Sequence, residues 1–167
     1  YKKFMEYHND FSSRGADYLI KTAIDKRSHF FEDPGTDCFR IFNSSGDGID
    51  GLTADYYAGY ILLQFFNSSA EILIDKFRTA MIQCLPHQIK AVLSKNRIAS
   101  VKTGNSDFLC ESIILEGDYP AEGIIVMQNG IKAAVDLIHG QNTGIFLDMR
   151  EIREKLGEFY KTATIDK

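Results

Sequence analysis

Asn129-Gly130 interrupts the run EGIIVMQNGIKAAVDL between two β-type stretches, and it limits the folding of this chain more than any other pair of residues. Such a pair supplies two consecutive positions that tolerate positive φ, which is what a two-residue hairpin turn demands. The flanking runs are therefore expected to pair antiparallel. A second hairpin is predicted where Ala58-Gly59 separates LTADYY from YILLQFF. Ahead of it, Cys38–Asn43 reads as a third short strand, and SSGDGIDG after that strand as a turn.

Helical spacing appears in two places before the last segment. Residues 15–31 set Leu19, Ile20, Ala23, Ile24 and Arg27 on one side, and Pro34-Gly35 closes the pattern. Residues 70–85 line Ile72, Leu73, Phe77, Ala80, Met81 and Cys84 along one face, with Pro86 as the stop. IKAVLS and the region around Phe108–Leu115 are further strand candidates. Hairpins interleaved with helices predict the α+β class: a mixed or antiparallel sheet with two or three packing helices.

The chain closes on a well-signalled helix start. With Asp148 as N-cap and Glu151 three residues later, a capping-box pattern is predicted, and Leu147 and Ile152 are spaced for a hydrophobic staple. Ile152, Leu156 and Phe159 form the apolar stripe of that helix. The loop before it, Gly140-Gln141-Asn142-Thr143-Gly144, is neither a P-loop nor a G-x-G-x-x-G fingerprint. Its two glycines allow close backbone approach to another body.

At 167 residues the chain suits one domain or two small lobes, and its net charge of −4 provides no overall field for nucleic acid. One local exception is residues 86–105, which carry His87, Lys90, Lys95, Arg97 and Lys102 but no acidic residue. Cys38, Cys84 and Cys110 form no C-x-x-C pair, so free thiols of a reducing cytoplasm are expected. The opening YKKFMEYHND has no signal-peptide run, and a Tyr start predicts a piece cut from something longer. A calcium loop across NSSGDGIDG fails because Ala54 stands where the bidentate carboxylate belongs. His8, His29, His87 and His139 show no metal spacing, and no nucleophile–base constellation is visible.

Two segments together resemble the bacterial ribosomal-RNA methyltransferases of the large-subunit methyltransferase I type. The first is Arg40, then Gly46-Asp47-Gly48-Ile49-Asp50-Gly51-Leu52, Asp55-Tyr56, and Gln64 in YILLQFF. The second is Asn129-Gly130, Asp136, the run from Gly140 to Arg150, then Arg153. Asn142 stands where the family usually has Lys, Gln128 for Glu and Asp50 for Pro, as in a divergent member.

The resemblance implies an S-adenosylmethionine-dependent enzyme with an N-terminal PUA domain, a central α+β domain and a Rossmann-like methyltransferase domain. On that plan residues 1–14 are a remnant or linker, 15–138 the central domain, and 139–167 the loop and helix leading into the Rossmann-like domain. It places Gln141, Thr143, Phe146, Asp148 and Arg150 among cofactor-side or interdomain contacts. Arg40, Lys90, Lys95, Arg97 and Lys102 become candidates for RNA phosphates. The implied partners are RNA, ribosomal RNA in particular, and the methyltransferase domain, with cytosine C5 as a candidate target. None of the three cysteines falls in the family's nucleophile motif, so they read as structural thiols and the chain is expected to be inactive alone. A stand-alone, non-catalytic RNA- or protein-interaction domain is the alternative. Without a partner domain, Ile152, Leu156, Phe159 and Tyr160 are expected to be partly uncovered, which favours a homodimer.

Overall fold

The computed structural model describes residues 15–98, 112–139 and 142–162. Lys102, Cys110, Gly140 and Gln141 lie outside them. The chain opens with helix α1 (15–25) and a short α2 (Ser28–Glu32), followed by strand β1 (Cys38–Asn43) and a 3-10 turn, Ser44–Asp47. Next come β2 (Leu52–Tyr57), β3 (Tyr60–Phe65), α3 (Ser68–Glu71), α4 (Ile74–Cys84) and β4 (Ala91–Asn96). Strand β5 (Ile113–Gly117), the pair β6 (Ile124–Gln128) and β7 (Ile131–Val135), and α5 (Arg150–Thr162) complete the described elements. This is the expected α+β class.

Five strands form one sheet in the order β1-β2-β3-β4-β5, and β6-β7 form a separate ribbon. Only β3 and β4 run parallel among these pairs, because the helices α3 and α4 carry the chain across between them. Both predicted hairpins are present, with Tyr57 opposite Tyr60 and Gln128 opposite Ile131. Their turns use positive φ at both central residues, 50° and 96° at Ala58-Gly59 and 52° and 76° at Asn129-Gly130. The ribbon docks on the segment leading into β1 through main-chain bonds: Asp37 N donates to Met127 O (2.8 Å) and Gly130 N to Gly35 O (2.8 Å).

Alternation along the strands gives the sheet two different faces. One carries Phe39, Leu52, Ala54, Ile61, Leu63 and Val92 beneath α1 and α4, whose Leu19, Ile20, Ala23, Phe77, Ala80 and Met81 complete the main core. The other is apolar at one end, where Cys38, Tyr57, Leu62 and Leu93 pack against Val126, Val135 and Leu137. Further along the same strands it turns polar, at Arg40, Asp55, Gln64 and Lys95.

Three helix expectations need correction. The helix predicted over 15–31 breaks at Arg27, whose backbone leaves the helical region (φ −117°, ψ 12°). The break brings Phe30 and Phe31 onto Phe39, with centroids 5.1 and 4.8 Å away. The helix predicted over 70–85 is likewise two pieces. Asn67 caps a single turn by accepting from Ala70 N (2.8 Å), and Ile72, expected on the buried face, sits at the bend and is 80% exposed. At the last helix, Asp148 is not the N-cap. It lies within a 3-10 turn, Leu147–Met149, that tightens the entry and displaces the capping box.

The turn after β1 is held by an ion cluster. Asp47 accepts from Arg27 Nη2 (2.7 Å), Asn43 N (2.7 Å) and Lys26 Nζ (3.4 Å), with its side chain nearly buried. Burial pushes this carboxyl up, but the bonds from Arg27 and Asn43 and the Arg27 charge bring it below the ordinary carboxylate range. Its stabilisation is therefore complete above the unfolded value of about 3.9 and fades as pH falls through the lower folded value. Asp47→Asn is expected to cost about 2 kcal/mol at neutral pH. Urea unfolding at pH 7 and pH 3 should show the wild type losing more stability on acidification than the variant. Equal losses would rule out this role.

Candidate functional site

The polar end of the second sheet face is organised around one buried carboxylate. Asp55 accepts from Arg40 Nε (2.8 Å), Arg40 Nη2 (3.2 Å) and Gln64 Nε2 (3.2 Å). Gln64 in turn accepts from Arg97 Nε (2.9 Å) through its Oε1. The amide thus links two guanidiniums across three strands and the end of a fourth. Burial drives the Asp55 carboxyl above its ordinary range, against the pull of Arg40 and Gln64. Burial also opposes charge on Arg40, and Asp55 more than offsets it, holding that guanidinium firmly protonated.

Over this floor lies the loop that precedes α5. Thr143 is buried, its hydroxyl 3.2 Å from Tyr57 Oη and 3.3 Å from Ile145 O, while Asp136 N donates to Thr143 O (3.1 Å). Between floor and loop is a cavity of about 140 Å³. Arg40, Asp55, Gln64 and Arg97 line it from below, and Asn142, Thr143, Phe146 and Asp148 from above. Phe146 is 61% exposed at the rim.

Sequence reasoning assigned these residues to two separate groups, and the structure brings parts of both together. Arg40 and Arg97 come from the set expected on RNA; Thr143, Phe146 and Asp148 come from the set expected on the cofactor or domain side. The remaining candidates go elsewhere. Lys95 is fully buried, contrary to the surface position a phosphate contact requires, because its place in β4 turns it inward on the Gln64 side. Lys90 sits at the opposite end of β4, its ammonium 5.2 Å from the Tyr60 ring centroid. Arg150, expected on the cofactor or interdomain side, is committed within this domain. It donates to Asn129 Oδ1 (2.7 Å) and Asp33 Oδ2 (3.1 Å) and lies 4.3 Å over Phe30.

Asp55 and Gln64 form part of the first motif, yet sequence reasoning named neither as a site residue. Polar side chains inside the otherwise apolar runs LTADYY and YILLQFF were the available signal, since such groups are buried only with partners. Among the described residues no acid–base or nucleophilic centre emerges around the cavity. The Cys38 thiol is buried, and burial together with Asp37 pushes it up to about 12, so it is an inert packing group. Cys84 is half-buried. Among the described residues no cluster of three or more His, Cys, Asp or Glu could hold a metal, and no helix is long and apolar enough to cross a membrane.

Residues 39–163 match the S-adenosylmethionine-dependent methyltransferase family. The chain belongs to that family. Among its relatives, YwbD of Bacillus subtilis (strain 168), named as a ribosomal RNA large subunit methyltransferase, is 36% identical over 143 residues, or 84% of this chain and 34% of its own length. Ribosomal RNA large subunit methyltransferase I of Aliivibrio fischeri (strain MJ11) is 27% identical over 139 residues, 80% of this chain and 33% of its own. A solved structure described as a SAM-dependent methyltransferase from Streptococcus mutans superposes with a TM-score of 0.72 at 31% identity, covering 84% of this chain and 34% of that one. A second, SMU.776 complexed with SAH, gives 0.72 at 30% identity with the same coverage. The chain spans about a third of the length of the relatives it matches.

S-adenosylmethionine is the cofactor of this methyltransferase family. The described residues do not form a complete site for it. The cavity, about 140 Å³, is well below the roughly 300 Å³ at which pockets for drug-sized ligands begin. The Thr143 hydroxyl and the Nε and Nη2 of Arg150 are also engaged inside the domain.

Proposed function

We propose that this chain is the central α+β domain, with its exit loop and helix, of a ribosomal-RNA methyltransferase in the bacterial cytoplasm. Its role is to position the RNA beside the cofactor domain, which the rest of the parent protein supplies. The observation that carries this reading is the pocket in which the linked pair Arg40 and Arg97 meets the loop residues Thr143, Phe146 and Asp148. The family match, and relatives named for ribosomal RNA whose length is about three times the matched segment, support it. Residues 15–138 then form the body of the domain and 139–167 the lead into its neighbour.

The helix α5 suits that seat. Ile152, Leu156, Phe159 and Tyr160 are all about half exposed or more, so its apolar stripe is open to a partner surface. Binding of RNA by the chain alone is expected to be micromolar or weaker, given its net charge of −4. Fluorescence anisotropy with a labelled ribosomal-RNA fragment, read across a salt series, tests this. Arg97→Ala should weaken binding and flatten the slope of log K against log salt by about 0.7, the loss of one phosphate contact to a single strand. An unchanged slope and affinity in a folded variant would remove Arg97 from the RNA surface.

A further inference from the structure

Resting on that RNA-positioning reading, we infer that the pocket receives one unpaired nucleobase, stacked on Phe146, with Asp148 and Arg40 reading its edge. Size gives the first constraint. A cavity of about 140 Å³ takes one small planar group and excludes a complete nucleoside with its sugar.

Charge gives the second. Asp55 neutralises much of Arg40 from below, and the exposed Asp148 adds negative charge close enough to stabilise the protonated guanidinium. A bare phosphate entering on the Arg40 side would meet the Asp148 carboxylate, which leaves phosphate contact to Arg97 beyond the end of β4. A base edge, with N–H donors beside ring acceptors, matches a carboxylate next to a guanidinium. Within that pairing, an exocyclic amino group donates to Asp148 while a neighbouring ring acceptor takes a hydrogen bond from Arg40.

The third constraint is the aromatic at the rim. Phe146 is 61% exposed, yet its loop is braced on both sides. Thr143 ties the loop to Tyr57 and Ile145, and Arg153 donates to Phe146 O (2.7 Å). An uncovered aromatic at the rim of a polar slot, carried on a braced loop, is the arrangement that single-stranded RNA bases use for stacking. Paired bases are excluded, because a duplex keeps each base face stacked on its neighbours, leaving none for Phe146, and engages the Watson–Crick edge in pairing.

Short oligocytidylate and oligouridylate form the discriminating pair of probes. The rings match in size, but cytosine presents an amino group where uracil presents a carbonyl. The test measures their anisotropy with the 167-residue chain, with Phe146→Ala and with Asp148→Asn, both at exposed side chains, after circular dichroism confirms folding. The wild type should bind oligocytidylate about fivefold or more tightly than oligouridylate. Asp148→Asn should erase that preference, and Phe146→Ala should weaken both by about fivefold or more. Equal binding of the two probes, unaffected by Phe146→Ala, would overturn base docking and leave the RNA-positioning reading standing. Binding of neither probe nor of the ribosomal fragment would overturn both.

Discussion

Arg40→Ala is expected to cost about 3 kcal/mol of folding stability, more than surface arginines usually do. The cost comes from what the variant leaves behind. Asp55 lies on the sheet's polar face with its side chain 3% exposed, and Arg40 supplies two of the three bonds that offset its burial. Breaking a buried pair from one side typically costs 3–5 kcal/mol, and the low end of that range (about 3) applies because Arg40 is 39% exposed and its removal admits water. Without Arg40, the already raised Asp55 carboxyl moves further up and takes a proton at higher pH. Urea unfolding should show the loss, and adding Asp55→Asn to Arg40→Ala should recover part of it, since a neutral amide needs no counter-charge. A loss below about 1 kcal/mol, typical of an exposed pair, would mean the network does not organise the pocket floor.

Arg150→Ala should release the last helix while sparing the sheet. The helix α5 presents its apolar stripe outward, so arginine contacts rather than apolar burial hold it to the domain. Arg150 bonds Asp33 and Asn129 and covers Phe30, and Arg153 bonds Gln128 and Phe146 O. Two bonds involving a charged group, each near the low end of about 1.5–3 kcal/mol, sum to about 3 kcal/mol. An undocked helix of 13 residues is marginal in water and frays. Hydrogen exchange should therefore accelerate about 100-fold across Arg150–Thr162, while β2 and β3 keep their protection. Unchanged exchange in α5 would show that other contacts seat it.

Both hairpins were legible because their cause is local: two adjacent residues set the turn, and alternation sets the pairing. The helix breaks were not, because they answer distant demands. Arg27 turns out of its helix next to Asp47, 20 residues on, and Asn67 starts a one-turn helix that leaves Ile72 outside. The site was legible as residue types. Arg40, Asp55 and Gln64 stand in one motif and Thr143, Phe146 and Asp148 in another. That the two motifs enclose a single cavity depends on sheet order and on the Tyr57–Thr143 contact between residues 86 apart, which no local pattern encodes. Lys95 misled for a physical reason. A lysine is ordinarily a surface residue, and only its place in β4 turns it inward.

The central claim is that this segment works inside a ribosomal-RNA methyltransferase. The most direct test replaces the segment of Bacillus subtilis YwbD that this chain matches, about a third of its length, with its full counterpart from this chain and measures transfer of tritiated methyl groups from S-adenosylmethionine to ribosomal RNA. The account predicts transfer by the chimera, a severe loss on Arg97→Ala, and none by the 167-residue chain alone. A folded chimera that binds the cofactor yet transfers no methyl group, or transfer by the isolated chain, would contradict it.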